Sequence, residues 1–588
     1  MGKIVLNDKV LDVEGEVQEQ QVSPSSAKIS SGQVEFGNYG LSDIEEYGDF
    51  RGGLGLESEE KASNKFAWAN GVETIKARLT TLGPLVTTAG AFASTPYKII
   101  DFENITYGLK TEDCYYWNTG TSAWSDTTAA SPLATPTDAI VFKDETDNYL
   151  IVCNGSKATY CAVGYGGSED WTELGTNKTI HKMCVFDNRL IGINATATAL
   201  YFSPAGDVDG TWDSFNLSGP FTACNDLFEG KTLTTGEPCI YMLAPEGLFV
   251  IDFWTQKIYP MEVRYPKTDE ARVGMYWNGA VIISTGSGMA RLTANAVDPA
   301  FGPNAGDGLP SDYAGYIYDM IGTSEWIIIA ISGGSNDTIL KRHMSVGGWH
   351  HVYTSSSNIR HLCYSAASTH ATYESGRLWF QDGTNIKYVE FPDTTHDVTK
   401  VSTYDFCASG TLELTRLSKV SVIPKVAIAV IAVTEDVNSN EKITVEYKMD
   451  NDASYTSLGD FTTSPRPRLN FASNLGTSFY DCQLKLTFAR GGTTTKTPKL
   501  KAIALKYLVM PERVTAWAFT LKALGKRAKE IIDHLYDTYD STILVTFSPD
   551  GDLGISTKYV RIASLPSRKW LDMYADQRSF EVVVSEIE

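Results

Sequence analysis

The sequence predicts a mainly β protein: a β-propeller of about seven blades, followed by a β-sandwich and a small α+β C-terminal module. The first observation is a recurring phrase, in which two apolar strands flank a polar turn and a short strand runs into a Trp-bearing corner. It recurs six or seven times between residues 95 and 392, most clearly over 182–215 and 319–353. Irregular repeats of ~40–50 residues, each worth three or four strands, are typical of propeller blades. The second observation is that this span shows no sustained helical periodicity.

Composition agrees with a large β protein that buries several cores. The chain has 588 residues, 43% of them hydrophobic and 11% aromatic. On a prior of ~150 residues for each domain it would form three or four domains, although one propeller absorbs ~300 residues by itself. The 49 glycines, 30 tyrosines and 12 tryptophans suit tight turns and half-buried strands.

The net charge of −21 is unevenly distributed along the chain. Residues 1–60 carry −9 and residues 61–400 carry −13, whereas residues 401–588 carry +1. Such acidity would repel a nucleic-acid backbone, so we expect no tight binding of DNA or RNA. It is explained either by solubility or by an acidic lumen through which DNA passes without adhering.

Residues 1–60 are predicted to be an extended N-terminal arm. The segment 3–17 alternates like an edge strand, a Ser-rich polar stretch follows, and 44–58 carries glycines that a compact helix would avoid. An arm lying over a neighbouring subunit and a floppy terminus both fit this pattern.

The propeller is predicted over 61–400 because hairpin signals recur there, with Gly, Asn, Asp or Pro at the turns. Seven apolar anchors favour seven blades, although their ragged spacing leaves six or eight open. The anchors are Tyr115, Leu150, Leu190, Leu248, Val281, Ile327 and Leu378.

Two further units are predicted after the propeller. Residues 411–510 read as strands of sandwich length with polar turns, two of them cleanly alternating. Residues 511–588 read as a small α+β module, with a helix over 526–540 whose apolar stripe is Ile531, Ile532, Leu535 and Tyr539. A helix packed across an antiparallel sheet is the simplest arrangement.

Cysteine usage and hydropathy bear on localisation. The nine cysteines are odd in number and include no C-x-x-C pair, which favours a reducing cytoplasm over a disulfide framework or zinc ribbon. No signal-peptide pattern is visible at the N-terminus, and no apolar run reaches ~18 residues. We therefore expect no membrane span.

A search for chemistry finds no strong motif: no P-loop, no G-x-S-x-G and no H-E-x-x-H. Five of the eight histidines lie within 343–370, which suggests a metal site. However, His350 and His351 are adjacent, so in a strand they point to opposite faces. A blade-closing strand with one packed and one solvated ring explains them better.

Two carboxylate pairs, Asp207/Asp209 and Asp550/Asp552, lie beside glycines and loosely resemble the Asp-box of sialidase-like propellers. Turns whose Asp side chains bind backbone N–H groups have the same composition. A sialidase also needs three converging arginines. The eight in 61–400 are Arg78, Arg189, Arg264, Arg272, Arg291, Arg342, Arg360 and Arg377. Arg189 and Arg377 occupy the same turn–Arg–Leu phrase, which favours a repeated structural role.

Two weaker patterns have simpler explanations. The segments 144–148 and 336–338 have the oxygen-rich composition of calcium loops, and hairpin turns share it. Trp117, Trp124, Trp171 and Trp212 would stack on sugars if exposed, whereas blade-corner packing accounts for them otherwise. We predict no catalytic, cofactor-binding or metal-binding residue, no cofactor, and no enzymatic activity.

Several segments resemble β-propeller proteins of tailed-bacteriophage virions. They are FDNRLIGIN…LYFSPAGDVDGTW, the entry segment 49–85, GGWHHVY, GRLWFQDGTNIKYVEFP and the end TPKLKAIALKY with its strand–helix–strand module. The resemblance spans most of the chain with motifs of moderate specificity. It implies a structural tail protein of the nozzle, DNA-stabilisation or minor tail protein type, and supplies no catalytic residues.

The function predicted from these observations is a structural component of a bacteriophage tail. It would form a symmetric homo-oligomer and act through protein–protein interfaces with other virion tail proteins. One position that fits this role is around the DNA exit channel. It would be made in the host bacterial cytoplasm and located in the virion tail. The alternative is a glycan-binding or glycan-cleaving, sialidase-like propeller at the tail tip, with a host-surface glycan as partner. A bacterial surface interaction protein is a third class, disfavoured by the missing signal peptide.

Overall fold

The computed structural model describes most of the chain. The residues outside the description are 1, 23–28, 31–32, 35–42, 59–63, 93–95, 111–112, 127–134, 145–146, 163–170, 175–177, 262, 264–270, 295, 300, 304–308, 367–375, 418–423, 475, 510–513, 525–526, 541–544, 552–557, 566–576 and 587–588. The mainly β prediction is confirmed, because strands dominate the described residues and they include one α-helix.

The first ten strands precede the repeats. They are β1 (Gly2–Leu6), β2 (Lys9–Val22), β3 (Ile29–Ser30), β4 (Gln33–Val34), β5 (Asp43–Tyr47), β6 (Gly53–Leu54), β7 (Lys65–Asn70), β8 (Val72–Glu73), β9 (Thr81–Leu82) and β10 (Thr87–Ala91).

The repeats supply the next 27 strands. They are β11 (Lys98–Phe102), β12 (Ile105–Lys110), β13 (Asp113–Asn118), β14 (Ala123–Asp126), β15 (Asp138–Lys143), β16 (Asn148–Cys153), β17 (Ala158–Ala162), β18 (Thr172–Glu173), β19 (Lys182–Phe186), β20 (Arg189–Ile193), β21 (Ala199–Phe202), β22 (Asp213–Asn216), β23 (Asp226–Lys231), β24 (Pro238–Ala244), β25 (Gly247–Asp252), β26 (Lys257–Pro260), β27 (Gly274–Trp277), β28 (Ala280–Ser284), β29 (Met289–Leu292), β30 (Val297–Asp298), β31 (Tyr316–Gly322), β32 (Trp326–Gly333), β33 (Asn336–His343), β34 (Trp349–Ser355), β35 (Leu362–Ser365), β36 (Arg377–Asp382) and β37 (Asn385–Glu390).

The remaining elements follow the repeats. They are β38 (Ser409–Leu414), β39 (Lys425–Glu435), β40 (Lys442–Met449), β41 (Thr456–Phe461), β42 (Arg468–Asn470), β43 (Thr477–Phe479), β44 (Cys482–Ala489), β45 (Lys499–Val509), β46 (Val514–Leu524), the helix α1 (Arg527–Tyr539), β47 (Val545–Ser548), β48 (Lys558–Ser564) and β49 (Gln577–Glu586).

Seven four-stranded antiparallel sheets form a propeller-like ring over Thr87–Glu390. Their first strands (β11, β15, β19, β23, β27, β31 and β35) contact one another in sequence, and β35 returns to β11. Each predicted apolar anchor lies in a different one of these sheets. Strand β10 supplies the outer strand of the sheet formed by β35–β37, so the beginning and end of the repeats share one sheet.

Local sequence and packing both explain the ring. Three of the hairpins that join a first strand to a second turn through residue pairs with positive φ, namely Glu103–Asn104, Asp187–Asn188 and Asn278–Gly279. Such turns match the twist of antiparallel strands and favour Asn, Asp and Gly. Adjacent sheets then bury a separate apolar core between them, and the core between β27–β30 and β31–β34 continues into the larger sheets that follow.

Two larger sheets share one core beside the ring. One has six strands in the order β41-β40-β44-β38-β7-β6, and the other has the path β42-β39-β45-β5 with β43 paired to β39. Val445 and Leu486 from the first pack in one cluster with Val430 and Leu505 from the second. Strand β34 of the ring contacts β6, β7 and β8, which joins the two bodies.

Four C-terminal strands and the N-terminal strands β1 and β2 form a closed six-stranded barrel, in the order β1-β2-β46-β49-β48-β47, with α1 packed against it. The helix α1 lies within the predicted range 526–540. The helical stripe is shifted: Ala528, Ile532 and Leu535 are buried, whereas Tyr539 is 45% exposed.

The predicted N-terminal arm is replaced by paired strands. Strands β1 and β2 close the C-terminal barrel, β5 pairs with β45, and β6 pairs with β7. Strands β7–β9 also lie outside the ring, although the predicted boundaries of 61–400 included them. The alternation of 3–17 is visible in the sequence. However, the partners β46, β47, β45 and β38, which fix β1, β2, β5 and β7 in these sheets, lie hundreds of residues away, and short-range patterns carry no information about such pairing.

Candidate functional site

The centre of the ring, where the first strands meet, carries a cluster of charged side chains, which we call the hub charges: Lys98, Asp138, Lys182, Asp226 and Asp319. Four of them are the first residue of a first strand, and Asp319 follows a bulge in β31. The fifth sheet presents Gly274 at the equivalent position. Consecutive hub charges are 40, 44, 44 and 93 positions apart in the chain, and the ring brings them together.

Each hub carboxylate ties two neighbouring sheets together. One oxygen of Asp138 accepts the N–H of Ala139 at 2.9 Å, and the other accepts the N–H of Met183 in the next sheet at 3.0 Å. Asp226 does the same with Leu227 and Gly274, and Asp319 with Met320 and Leu362, all at 2.7–3.0 Å. Charge-assisted bonds of this kind are stronger than neutral ones.

The lysines compensate the carboxylates. Lys98 Nζ lies 3.4 Å from Asp138 Oδ1, with the two side chains 32% and 11% exposed. Burial alone would lower the pKa of Lys98, yet the neighbouring hub carboxylates outweigh it and hold the pKa above its ordinary value. Burial would likewise raise the pKa of Asp138, but Lys98 and Lys182 outweigh it and hold that pKa below the usual range.

Asp226 behaves differently from Asp138. Burial raises the pKa of Asp226 to about 6, despite the attraction of Lys182. That value suits a proton-transfer group. However, both carboxylate oxygens accept backbone N–H groups, so the side chain is held as a link between sheets. Burial also raises the pKa of Asp319.

A second polar cluster lies where the ring meets the six-stranded sheet. Lys341 and Glu73 form an ion pair at 2.5 Å, with side chains 9% and 5% exposed. The Lys341 ammonium also lies 5.1 Å from the ring centre of Trp326. Tyr313 donates its hydroxyl to the Ala69 carbonyl across the same junction. The cavity beside this junction cluster has a volume of only about 10 Å³, so the cluster is closed to ligands.

The adjacent histidines His350 and His351 lie in this junction, and both are buried. His350 Nδ1 is 2.8 Å from Thr74 Oγ1, and His351 Nδ1 accepts the N–H of Gly71. Burial, with Lys341 adding to it, lowers the pKa of each to about 3. The expectation of one solvated ring was wrong, because β7 and β8 cover the face of β34 that would otherwise meet water.

Glu325, His343 and His396 bring three ligand-type atoms within 4.8 Å of one another. His343 Nε2 is 3.0 Å from a Glu325 oxygen, while His343 Nδ1 accepts the N–H of Ser345 at 3.1 Å. A neutral imidazole that accepts at Nδ1 carries its proton on Nε2. The geometry is therefore that of a hydrogen-bonded His–Glu pair, with His396 packed edge-on against His343.

The described arginines of the ring do not form the three-arginine pocket of a sialidase. Arg272 and Arg360 lie over Tyr318, and Arg291 and Arg342 lie over Phe301. Arg189 packs on Phe253, Arg377 packs on Tyr388, and Arg78 lies outside the ring sheets. Arg264 falls outside the described residues.

The carboxylate and calcium candidates are engaged in local structure. Asp207 accepts the N–H groups of Asp209 and Gly210, which is the predicted turn geometry. Asp337 accepts the N–H of Ile359 and pairs with Arg360. Asp144 accepts the N–H of Asp147, again within a turn. Asp552, of the second carboxylate pair, lies outside the described residues.

The predicted tryptophans pack at corners or are partly covered. Trp117 and Trp212 are buried, and Trp212 Nε1 donates to Val208 O at 3.1 Å. Trp124 and Trp171 are partly buried. Trp254, which the sequence analysis did not select, is 62% exposed on the hairpin that also carries Tyr259, 49% exposed.

Two open cavities lie away from the hub. One of about 370 Å³ lies between Tyr404 and Lys499, and one of about 350 Å³ lies beside Arg342 and Trp349. In the second, Arg342 Nη1 donates to Phe301 O at 2.8 Å, and burial lowers its pKa to about 10.

Sequence reasoning missed the hub charges. Their signal was present: a Lys or Asp stands directly before or within an apolar strand at residues 98, 138, 182, 226 and 319. The predicted apolar anchors lie in the second or third strand of each sheet, whereas the hub charges lie in the first strand. Aligning the repeats on the anchors therefore hides the position that the hub charges share.

Comparisons with known proteins identify no family. No family model matches the chain, and no curated protein matches it. Among solved structures, a chain of the "Crystal Structure of Mitotic Checkpoint Complex" has 11% identity and a TM-score of 0.37, covering 54% of this chain and 96% of its own length. The extracellular domain of the putative one component system BT4673 from B. thetaiotaomicron has 9% identity and a TM-score of 0.35. The similarity covers 68% of this chain and 59% of that one.

The helix of the described residues is too short and too polar to cross a membrane.

Proposed function

We propose that the chain is a structural component of a bacteriophage tail, acting through protein–protein interfaces in a symmetric homo-oligomer with other virion tail proteins. The proposal rests on the contacts that the hub charges and the junction pair make. The hub carboxylates bind backbone N–H groups of two sheets each, and the ion pair between Lys341 and Glu73 joins the ring to β8. Both clusters hold elements in place.

We assign the seven sheets as blades of a seven-bladed propeller, the two larger sheets as a β-sandwich, and the barrel with its helix as the C-terminal module. Rigid bodies joined by large apolar cores suit a virion part that keeps its shape under load. The nine cysteines are all free thiols, which suits synthesis in the host bacterial cytoplasm.

A DNA channel, in this proposal, lies between copies of the chain. The first strands of neighbouring sheets contact one another, and hub carboxylates reach the backbone of the next sheet. Duplex DNA, whose major groove alone is ~12 Å wide, does not fit such a hub. The net charge of −21 would keep DNA from adhering to a lumen formed by several copies.

The test is assembly of the purified chain. Mass photometry and electron microscopy should show a closed ring of copies, and the chain should co-purify with tail-containing particles. Asp207→Ala removes a turn carboxylate of the supposed Asp-box and should leave assembly unchanged. A chain that stays monomeric at all concentrations contradicts the proposal.

The glycan alternative would use the exposed Trp254, since aromatic faces stack on sugars. The N–H of Trp254 is held by Asp252 Oδ1 at 3.0 Å, so the indole is presented on an ordered turn. A glycan array without signal for the purified chain would remove this alternative.

A further inference from the structure

The N-terminal hairpin, defined as β1 and β2 (Gly2–Val22), supplies two of the six strands of the C-terminal barrel. Strand β2 pairs with β46 and β1 pairs with β47. Its four core side chains are each no more than 2% exposed: Ile4, Leu6, Leu11 and Val13. They pack with Phe519, Phe547 and the helix residue Leu535 in a core formed by the barrel strands and α1.

The hairpin is a self-contained element. Its turn residues, Asn7 and Asp8, both have positive φ, the conformation of two-residue hairpin turns that match strand twist. Its polar contacts also go to the barrel. Lys9 Nζ donates to Glu530 O at 3.1 Å, and Leu6 O lies 2.9 Å from His534 Nε2.

The two connections to the barrel differ greatly in length. Four residues, 510–513, separate β45 of the five-stranded sheet from β46. Twenty residues, 23–42, separate the hairpin from β5, which is held in the same five-stranded sheet. At ~3.3–3.6 Å for each extended residue, the first connection spans at most about 14 Å. The second contains the β3–β4 hairpin, and its 14 other residues span at most about 50 Å.

These lengths make the hairpin exchangeable. Without it, β46 and β47 present unpaired edges and the barrel core is open to water. An identical hairpin from another copy restores the same ladder and core contacts, which is the low-cost route to subunit exchange. The short connection holds the rest of each barrel beside its own sheet.

We propose that, in the assembly, the N-terminal hairpin of one copy completes the C-terminal barrel of a neighbouring copy. This inference rests on the proposed homo-oligomer. It gives the N-terminal hairpin a subunit-linking role, to which the length of its connection is suited, while every strand pairing of the barrel is kept.

The experiment places one cysteine on β2, in the exchanged hairpin, and one on β46, the barrel strand with which β2 pairs. Glu14 and Thr520 are paired residues of β2 and β46. Full-length chains carrying Glu14→Cys with one tag and Thr520→Cys with another are co-expressed, oxidised mildly and purified through both tags. We expect a disulfide-linked dimer on a non-reducing gel.

A matched control uses the same Thr520→Cys chain with Glu581→Cys, its partner on β49. Both strands lie C-terminal to the hairpin, so this mixture should give no linked dimer, whereas the double variant in one chain should cross-link internally. Thr520→Cys co-expressed with the unmodified chain measures the background from the native thiols, eight of which are buried.

The outcomes separate this inference from the function on which it rests. If the copies form a ring but Glu14→Cys and Thr520→Cys cross-link only when both lie in one chain, the hairpin is not exchanged. The proposed structural role is then unaffected. A chain that is monomeric by mass photometry overturns both.

Discussion

Asp138 and Asp226 make the same pair of backbone hydrogen bonds in the hub but differ in pKa, and their charged neighbours explain the difference. Asp138 lies between Lys98 and Lys182, which hold its pKa low against burial. Asp226 has Lys182 on one side, while the next sheet offers Gly274, so burial prevails and raises its pKa to about 6. The ionised form of Asp226 is therefore disfavoured by folding.

A pH series on Asp226→Asn tests this explanation. The folded-state pKa of about 6 lies above the ~3.9 of an unfolded Asp, so the contribution of Asp226 to the unfolding free energy falls as pH rises from about 4 to about 6. The variant should gain stability relative to the parent across that window. The gain is on the order of 1–2 kcal/mol, because water reaches part of the side chain. Calorimetric melting midpoints at each pH measure it.

Asp138→Asn is the matched control. Its folded-state pKa is lowered, so the stability due to its ionised form is complete above about pH 5 and is lost only at lower pH. Its difference from the parent should be flat between about pH 5 and 6. Parallel pH profiles for Asp226→Asn and the parent would contradict the hub electrostatics described above.

Among the elements, α1 shows how periodicity locates a buried face only approximately. The stripe at 531, 532, 535 and 539 was predicted from apolar residues alone. The barrel instead buries 528, 532, 535 and 538, a stripe that includes the small Ala528 and the polar Thr538. Thr538 donates its hydroxyl to His534 O at 2.7 Å within the helix, which satisfies it.

Truncating Leu535 and Tyr539, two members of the predicted stripe, should have unequal effects. Leu535 is fully buried, so Leu535→Ala should cost about 2–4 kcal/mol in the stability of the barrel. Tyr539 is 45% exposed, and Tyr539→Ala should cost under about 1 kcal/mol. Hydrogen exchange of β46 and β49 peptides reports barrel stability directly. Equal losses would show that the helix is packed on a different face.

At the scale of the whole molecule, closure is achieved by strands from distant parts of the chain. Strand β10 completes the last sheet of the ring, β5–β7 complete the two larger sheets, and β1–β2 complete the barrel. Every one of these bodies therefore depends on N-terminal residues, and the junction cluster fixes the ring against the six-stranded sheet.

The junction predicts a strong non-additivity. Lys341→Met leaves the Glu73 carboxylate buried without its partner and should cost about 3–5 kcal/mol. The double variant Glu73→Leu/Lys341→Met removes both charges and should recover most of that loss. A double-mutant cycle from denaturant unfolding measures the coupling. Additive losses would mean that Glu73 and Lys341 do not stabilise each other.

Alternating strands, Asn- and Gly-bearing turns and the repeat length were sufficient to predict the β class, the repeats and the C-terminal helix, because these depend on residues close in sequence. The turn role of Asp207 was likewise predictable from its own neighbours. The burial of both His350 and His351, by contrast, depends on β7 and β8, which are far away in the chain.

The amino-acid sequence by itself determined which segments are strands, where they turn and which phrase repeats, since short-range sterics and apolar alternation decide these properties. Only the tertiary structure decided that the N-terminal strands close three separate bodies and that charges separated by 40 to 93 residues from one to the next meet in one hub. The physical reason is that strand pairing and charge compensation act through space, between edges and side chains whose separation along the chain sets no limit on their contact.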